Sequence, residues 1–314
     1  LRTIDLFAGI GGIRLGFESV NCQTVFASEW DRDAQKIYQD NFGEVPEGDI
    51  TKISPQEIPN HDILLAGFPC QPFSIIGNLQ GFSDTTRGTL FFNIEEILRI
   101  KQPYAFLLEN VKQLRTYDQG KTFITIIKSL ESLGYFIHSK VLNALDFGLP
   151  QKRERTFIIG FKENLSFHFP QPFFNYKPLT KILEKDSEVN PKLFASEAIV
   201  KNRITKLKKE PFYPSIWHEN KGGNVSVLPY SCALRAGGSY NYLLVNGIRR
   251  PSPRELLRLQ GFPENFKILC PYSTARRLTG NSVAVPVIQE LAKEMLKSMG
   301  ENQINPKYHQ LVLL

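Results

Sequence analysis

RTIDLFAGIGGIRLG, residues 2–16, reads as a buried strand, a tight glycine turn and the start of a helix. Gly9, Gly11 and Gly12 let the backbone pass close to a ligand, and the N-terminus of the helix that resumes at Ile13 favours negative charge. The spacing is G-x-G-G-x-x-x-G, not the dinucleotide fingerprint G-x-G-x-x-G, and no Lys follows as in a phosphate-cradling loop. Two readings stay open on these residues alone: a nucleotide-like cofactor site, or tight packing of strand on helix.

Strand and helix go on alternating. QTVFASEWD (23–31) predicts a second strand ending in two acids, with Asp31 capping a helix over 32–41. HDILLAGFP (61–69) predicts a third strand. Leu90, Ile94, Ile97 and Leu98 are spaced for one face of a helix over 90–101. YAFLLEN (104–110) predicts a fourth strand, and 119–134 an amphipathic helix closed by Gly134. YFIHSKVLNA (135–144) and RTFIIGF (155–161) predict two more strands. Apolar strands between helices imply an α/β, doubly wound, mostly parallel sheet covered on both faces. Ligands of that class sit beyond the C-terminal strand ends, which puts residues 7–12, Glu29, 67–70 and 109–110 on one rim.

After residue 162 the pattern breaks. PQPFFNYKP (170–178) reads as irregular, and KGGNVSVLPYS (221–231) and AGGSYNYLLVNG (236–247) as short strands with glycine turns. This predicts a second, smaller, partly β domain. SPRELLRLQGFP (252–263) then predicts a short helix capped by Ser252. SVAVPVIQELAKEMLKSMG (282–300) predicts a longer one, with Pro286 in its first turn, returning to the first domain.

A chain of 314 residues with 42% hydrophobic content is ample for one core and a smaller second unit. No apolar run reaches about 18 residues, so no membrane span is expected. No signal-peptide pattern shows either. Cys22, Cys70, Cys232 and Cys270 fit neither a close metal pair nor a small disulfide scaffold, which predicts a reducing, cytoplasmic setting and no metal. The net charge is +7, concentrated in KNRITKLKKE (201–210) and RRPSPRE (249–255). Both runs suit a polyanion surface, though either also reads as a solvated face.

Cys70, in AGFPCQPFS (66–74), follows an apolar run past Pro69 instead of sitting inside it. If the next residues open a turn or helix, backbone amides favour its thiolate; the alternative is an inert cysteine. Glu109 ends the next strand, and a thiol beside an acid makes a sensible catalytic pair. Glu29 closes the second strand, where a carboxylate can hold ribose hydroxyls or simply cap a helix or turn. Asp49, in GDI, receives an adenine amino group or caps a turn. Arg153 and Arg155, two apart, lie on one side of an extended segment and grip a polar ring or phosphate, or are simply solvated.

DLFAGIGG, GFPCQPFS, ENV, QKRER, RELLRLQGFP and GNSV occur in this order along nearly the whole chain. In them the chain resembles the DNA (cytosine-5) methyltransferases, above all the compact bacterial modification enzymes. The resemblance implies a methyltransferase fold that binds S-adenosylmethionine, with Phe7, Ala8, Gly9, Ile10, Gly11 and Gly12 lining the site. It implies Glu29 on the ribose, Trp30 against the adenine, and Asp49 and Ile50 finishing that pocket. Gly67, Pro69, Leu90, Asn281, Ser282 and Val283 would complete it. Cys70 would be the nucleophile and Glu109 the group on the base, with Arg153 and Arg155 beside them and Arg155 at the pyrimidine O2. Ser74, Gln80, Arg87, Lys206, Lys208, Lys209 and Arg235 would meet DNA.

The implied domains are a catalytic one (1–174), a target-recognition one (175–247) and a returning segment (248–314). A monomer on double-stranded DNA, functionally paired with a restriction endonuclease, is expected. Two departures stand out. Ala233-Leu234 occupies the place where the family usually keeps Thr-Leu, and the loop over 75–89 is slightly long.

Cytosine C5 is a poor nucleophile, and thiolate addition at C6 makes it electron-rich, which explains a cysteine and an acid on one rim. Stacking covers C6 in a duplex, so the base must first leave the helix. An RNA cytosine-5 methyltransferase would use the same strings; a comparatively full recognition domain favours DNA. A non-catalytic binder of the same fold is disfavoured because Cys70 and Glu109 are both present. A dinucleotide oxidoreductase is disfavoured by the glycine spacing.

Overall fold

The computed structural model describes residues 1–69 and 90–301. The first unit runs β1 (Arg2–Leu6), α1 (Gly12–Glu18), β2 (Gln23–Ser28), α2 (Arg32–Phe42), β3 (Ile63–Gly67), α3 (Leu90–Lys101), β4 (Ala105–Val111), α4 (Lys121–Ser132), β5 (Phe136–Asn143), β6 (Gln151–Lys152) and β7 (Glu154–Phe161). Local chemistry sets several of these bounds. Asp31 caps α2 by accepting from the Asp33 and Ala34 amides at 3.0 and 3.2 Å. Gly134, at φ +82°, turns the chain after α4.

Six strands form the main sheet in the order β2-β1-β3-β4-β7-β5. The pairs β1–β2, β1–β3 and β3–β4 are parallel, and β7 runs antiparallel between β4 and β5. The mostly parallel sheet is as expected; the reversed strand within it was not. Alternate residues feed opposite layers, as a two-residue strand period requires. Ile63, Leu65 and Leu107 pack in one layer with Ile13 and Phe17 of α1. Leu64, Ala66, Phe106 and Leu108 pack in the other with Phe91, Ile94, Ile97 and Leu98 of α3 and Ile126 and Leu130 of α4. Leu90 is only half-buried, and Phe91 takes its expected place in the core.

The later chain adds α5 (Glu197–Thr205), β8 (Ile216–Glu219), β9 (Val225–Leu228), β10 (Ser231–Cys232), β11 (Leu243–Val245), α6 (Pro253–Gln260), α7 (Tyr272–Asn281) and α8 (Val285–Glu301). β11, β8 and β9 form an antiparallel sheet, while β10 pairs with β6. Ile216, Leu243 and Val245 make a small core with Leu256 and Leu259 of α6. The other side of α6 places Leu257 with Phe262, Phe266 and Ile37 of α2, so one helix serves both cores. Ser252 and Glu255 close a full capping box at its start. α8 returns to the main sheet, packing Ile288, Leu291, Ala292 and Met295 with the α1 layer.

α5, β8 and α7 were not expected from the sequence. α5 buries only Arg203 and so shows no apolar period, while α7 buries Ala275, Leu278, Thr279 and Gly280. The charge runs are also less exposed than their composition suggests. Arg249 is fully buried between Glu255, at 2.8 Å, and Asp186, at 2.6 Å. Arg203 and Lys206 both pair with Glu219. No described helix is long and apolar enough to cross a membrane.

Candidate active site

The glycine turn is built from backbone conformations that most side chains avoid. Phe7 and Gly9 both have φ +56°, and Gly11 has φ +84°. The Ala8 amide donates to Ser28 O at 3.0 Å and the Gly11 amide to Ala8 O at 2.8 Å, which folds residues 7–11 over the end of β2. Glu29 locks the turn from that side. Its Oε2 accepts from the Gly9 amide at 2.8 Å, and its Oε1 from the Asp31 amide at 2.8 Å. Burial raises the pKa of Glu29, and the backbone amides of Asp31 and Gly9 oppose that rise. Trp30, next in the chain, is 77% exposed.

The GDI segment lies alongside. The Glu29 amide donates to Glu47 O at 2.8 Å, and Ser28 Oγ to Gly48 O at 2.8 Å. Asp49 caps the turn that follows through the Thr51 amide and hydroxyl, while Ile50 is buried. On the opposite side the GNSV turn sits on α1. A methyl group on Gly12 would stand 2.8 Å from Val283 Cγ2 and 2.9 Å from Ser282 Oγ. Ser282 and Val283 are buried and Asn281 is exposed. Ile10 is buried beneath this turn with Val285 and Phe262. The structure thus gathers the expected residues of the glycine turn, Glu29, GDI and GNSV around one rim.

Glu109 stands on that rim, paired with Gly67 in register across β3 and β4. A methyl group on Gly67 would be 3.5 Å from Ile13 Cδ1 and 3.8 Å from Glu109 Oε2. Asn110 Nδ2 donates to Phe68 O at 2.9 Å and so holds the backbone just before Pro69, which is exposed. Glu109 is 8% exposed. Arg155 Nε stands 3.0 Å from its Oε1, off the line of a hydrogen bond, so Oε1 has no hydrogen-bond donor among the described residues. Burial raises the pKa of Glu109, and Arg155, then Arg153, pull against that.

Arg153 does not lie free beside Arg155 to grip a ring or phosphate. It is 2% exposed and donates to the carbonyls of Leu234, Gly280 and Ser282. Cys70, Ser74, Gln80 and Arg87 lie outside the described residues. Of the remaining residues expected at DNA, Lys208 and Lys209 are exposed. Lys206 is held by Glu219 at 2.8 Å. Arg235 lies over the Tyr242 ring, 4.6 Å from its centroid. At the place of the Thr-Leu pair, Leu234 is buried and its amide donates to Gln151 Oε1 at 3.0 Å.

Sequence reasoning missed Asp5, Gln151 and Arg277. Asp5 is buried beneath the glycine turn, and neither carboxylate oxygen has a hydrogen-bond partner among the described residues. Arg277 of α7 pairs with Asp31 and, at 2.7 Å, with Asp33, so it ties α7 to the segment carrying Glu29 and Trp30. An acid inside an apolar strand was the signal for Asp5; the partners of Gln151 and Arg277 are too distant in sequence to read.

The family model described as C-5 cytosine-specific DNA methylase matches residues 1–297. The chain is 63% identical to the type II methyltransferase M.NgoBI of Neisseria gonorrhoeae over 292 residues, 93% of this chain and 92% of that protein. It is 59% identical to the type II methyltransferase M.HaeII of Haemophilus aegyptius, over 100% of this chain and 98% of that protein. In fold it is similar to the crystal structure of a Spodoptera frugiperda DNMT2 mutant, with a TM-score of 0.74 at 22% identity, over 94% of this chain and 99% of that one. Full-length matches at these identities, on a rim that joins the glycine turn to a buried Glu109, lead to one conclusion: the chain belongs to the C-5 cytosine-specific DNA methylases.

Proposed function

We propose that the chain uses S-adenosylmethionine to methylate C5 of a cytosine turned out of duplex DNA at one short sequence, with Cys70 as the attacking group. The observation that carries this reading is Glu109: a buried carboxyl with a raised pKa, an oxygen without a hydrogen-bond donor among the described residues, and an arginine alongside. A carboxyl that burial biases towards its acid form suits the N3 edge of a pyrimidine.

The rim fits the methyl donor. Space is open where Gly9 would carry a side chain, Trp30 offers an exposed ring for the adenine, and Glu29 is held ready for the ribose hydroxyls. Asp49 and Ile50 would complete the adenine end, and Asn281, Ser282 and Val283 the amino-acid end, with Leu90 beside it. When bound, S-adenosylmethionine supplies an electrophilic methyl group carried on a sulfonium.

The chain's own residues do the rest. The Cys70 thiolate adds to C6, and the electrons of the C5–C6 double bond shift towards C5. Glu109 holds a proton at N3 and offsets charge as the sulfur attacks, while Arg155 keeps the carboxyl in place near O2. Once C5 carries its methyl group, water takes the C5 proton. The electron pair re-forms the double bond and Cys70 leaves as thiolate. Turning the base out of the stack costs a few kcal/mol, which pocket contacts must offset.

In this reading residues 1–174 are the catalytic domain, 175–247 the target-recognition domain and 248–314 a segment returning to the first. Exposed Lys208 and Lys209 meet phosphates, and Arg235 lies near the bases. In the same reading the enzyme works as a monomer and is paired with a restriction endonuclease of the same site; the type II names of its relatives support the restriction-modification setting.

Two measurements test this. A mixed-sequence DNA pool incubated with enzyme and S-adenosylmethionine should gain 5-methylcytosine at one position of one short sequence, and transfer RNA should gain none. Cys70→Ser should lose turnover while S-adenosylhomocysteine affinity stays within about twofold, because the thiol adds to the base and not to the donor. Normal turnover by that variant ends the nucleophile assignment.

A further inference from the structure

Gln151 and Arg153 lead the chain into β7, and both side chains are buried. Gln151 Oε1 accepts from the Leu234 amide at 3.0 Å, while its Nε2 donates to Leu259 O at 2.8 Å and Gln260 Oε1 at 3.1 Å. Arg153 Nη1 donates to Leu234 O at 3.1 Å, and its Nη2 to Gly280 O at 3.2 Å and to Ser282 O. Both backbone groups of Leu234 therefore end on side chains of one short segment. β10 pairs with β6 through Ser231 and Gln151, which fixes the same segment from the other side.

A second link is independent of the arginine. A methyl group on Gly280 would stand 2.7 Å from the carbonyl carbon of Arg235 and would overlap the Ala236 nitrogen. The turn at 280–283 and the segment at 234–236 thus touch backbone to backbone. Two residues beyond Arg153, Arg155 reaches Glu109. The acceptors of Arg153 are backbone carbonyls, and Glu109 is ion-paired to Arg155 instead. Burial, with Arg155 alongside, pushes the Arg153 pKa down to about 9. A buried cation is costly, and a neutral donor would serve for packing alone. What the guanidinium adds is one rigid plane that holds two segments at once.

We propose that Arg153 is a positioning residue: it transmits DNA engagement at residues 234–236 to the turn at 280–283 and so tightens S-adenosylmethionine there. This rests on the reading that places the methyl donor at that turn and DNA at Arg235. A shift of Leu234 tilts the guanidinium plane, and the carbonyls of Gly280 and Ser282 move with it. Coupling of this kind is reciprocal: the donor tightens DNA by the same factor.

The test titrates S-adenosylhomocysteine into the full chain by calorimetry, with and without the duplex sequence that the wild type methylates. The wild type should bind it about tenfold more tightly with that duplex present. Arg153→Lys keeps the charge but loses the planar fork. Its affinity without DNA should stay within about threefold, while the gain from duplex falls to about twofold. Arg153→Met should lose the gain altogether, and if it does not fold, the Lys variant decides.

A near-tenfold gain in a folded Lys variant overturns the proposal. So does a parallel loss of ligand affinity, DNA affinity and melting temperature with the gain unchanged, which is the mark of a merely structural role. A wild type that binds S-adenosylhomocysteine but gains nothing from duplex overturns the coupling alone. A wild type that binds none overturns the site assignment beneath it.

Discussion

Arg155 Nε lies 3.0 Å from Glu109 Oε1 on a rim where Glu109 is 8% exposed. Burial favours the protonated acid, and the two arginines favour the carboxylate. Activity that needs the acid form is complete below its pKa and is lost as pH rises through it. Arg155→Met removes a lowering influence, so the alkaline limb of kcat/KM should move to higher pH. The maximum should fall by about ten- to a hundredfold as the proposed contact at O2 is lost. A pH–rate profile of both enzymes checks this, and a limb that stays put or moves to lower pH contradicts it.

Asp5 provides a pH signature in stability. Burial pushes its pKa up to about 7, with Arg14 pulling it down and Glu29 pushing it further up. The folded state therefore holds this proton more tightly than the unfolded chain, whose carboxyl titrates near 3.8. The contribution is present below the unfolded value and declines as pH rises towards 7. Asp5→Asn mimics the neutral acid. It should match the wild type near pH 4 and exceed it at pH 8, by up to about 4 kcal/mol. Denaturant midpoints at the two pH values decide, and a variant weaker than the wild type at pH 8 refutes the reading.

Lys208 and Lys209 are exposed, whereas Lys206 is held by Glu219. Replacing the first two with Gln should weaken binding to all duplexes alike and make the slope of log K against log salt shallower by about 1–2. Lys206→Gln should change the slope less. Salt titrations on site and non-site duplexes measure this. A changed preferred sequence at unchanged total affinity would count against phosphate contact.

Much of the architecture was legible because its determinants are local. The glycine turn at 9–12, the Asp31 cap and the Ser252 capping box each act within a few residues. The alternation of apolar strands with amphipathic helices states that a sheet is covered on both faces. Once the sheet is parallel, its strand ends share a rim, so the strand pattern by itself brings Glu29, Gly67 and Glu109 together.

Tertiary structure alone decided the rest. The reversal of β7 depends on pairing with β4 and β5, and no strand records its partner's direction. α5 escaped notice because its buried face holds only Arg203, and α7 because a single large apolar residue, Leu278, stands among small or polar ones on its buried face. Composition counted Arg249 and Arg203 as surface charge, and spacing left Arg153 free to grip a ring or phosphate or to be solvated. Instead Glu255 and Asp186 enclose Arg249, Glu219 pairs with Arg203, and carbonyls far along the chain hold Arg153. The sequence determined which chemical groups the protein possesses and which strand ends carry them. Folding decided which charges remain in water and which become internal ties, because that depends on partners from six to 129 residues away, whose approach no local propensity encodes.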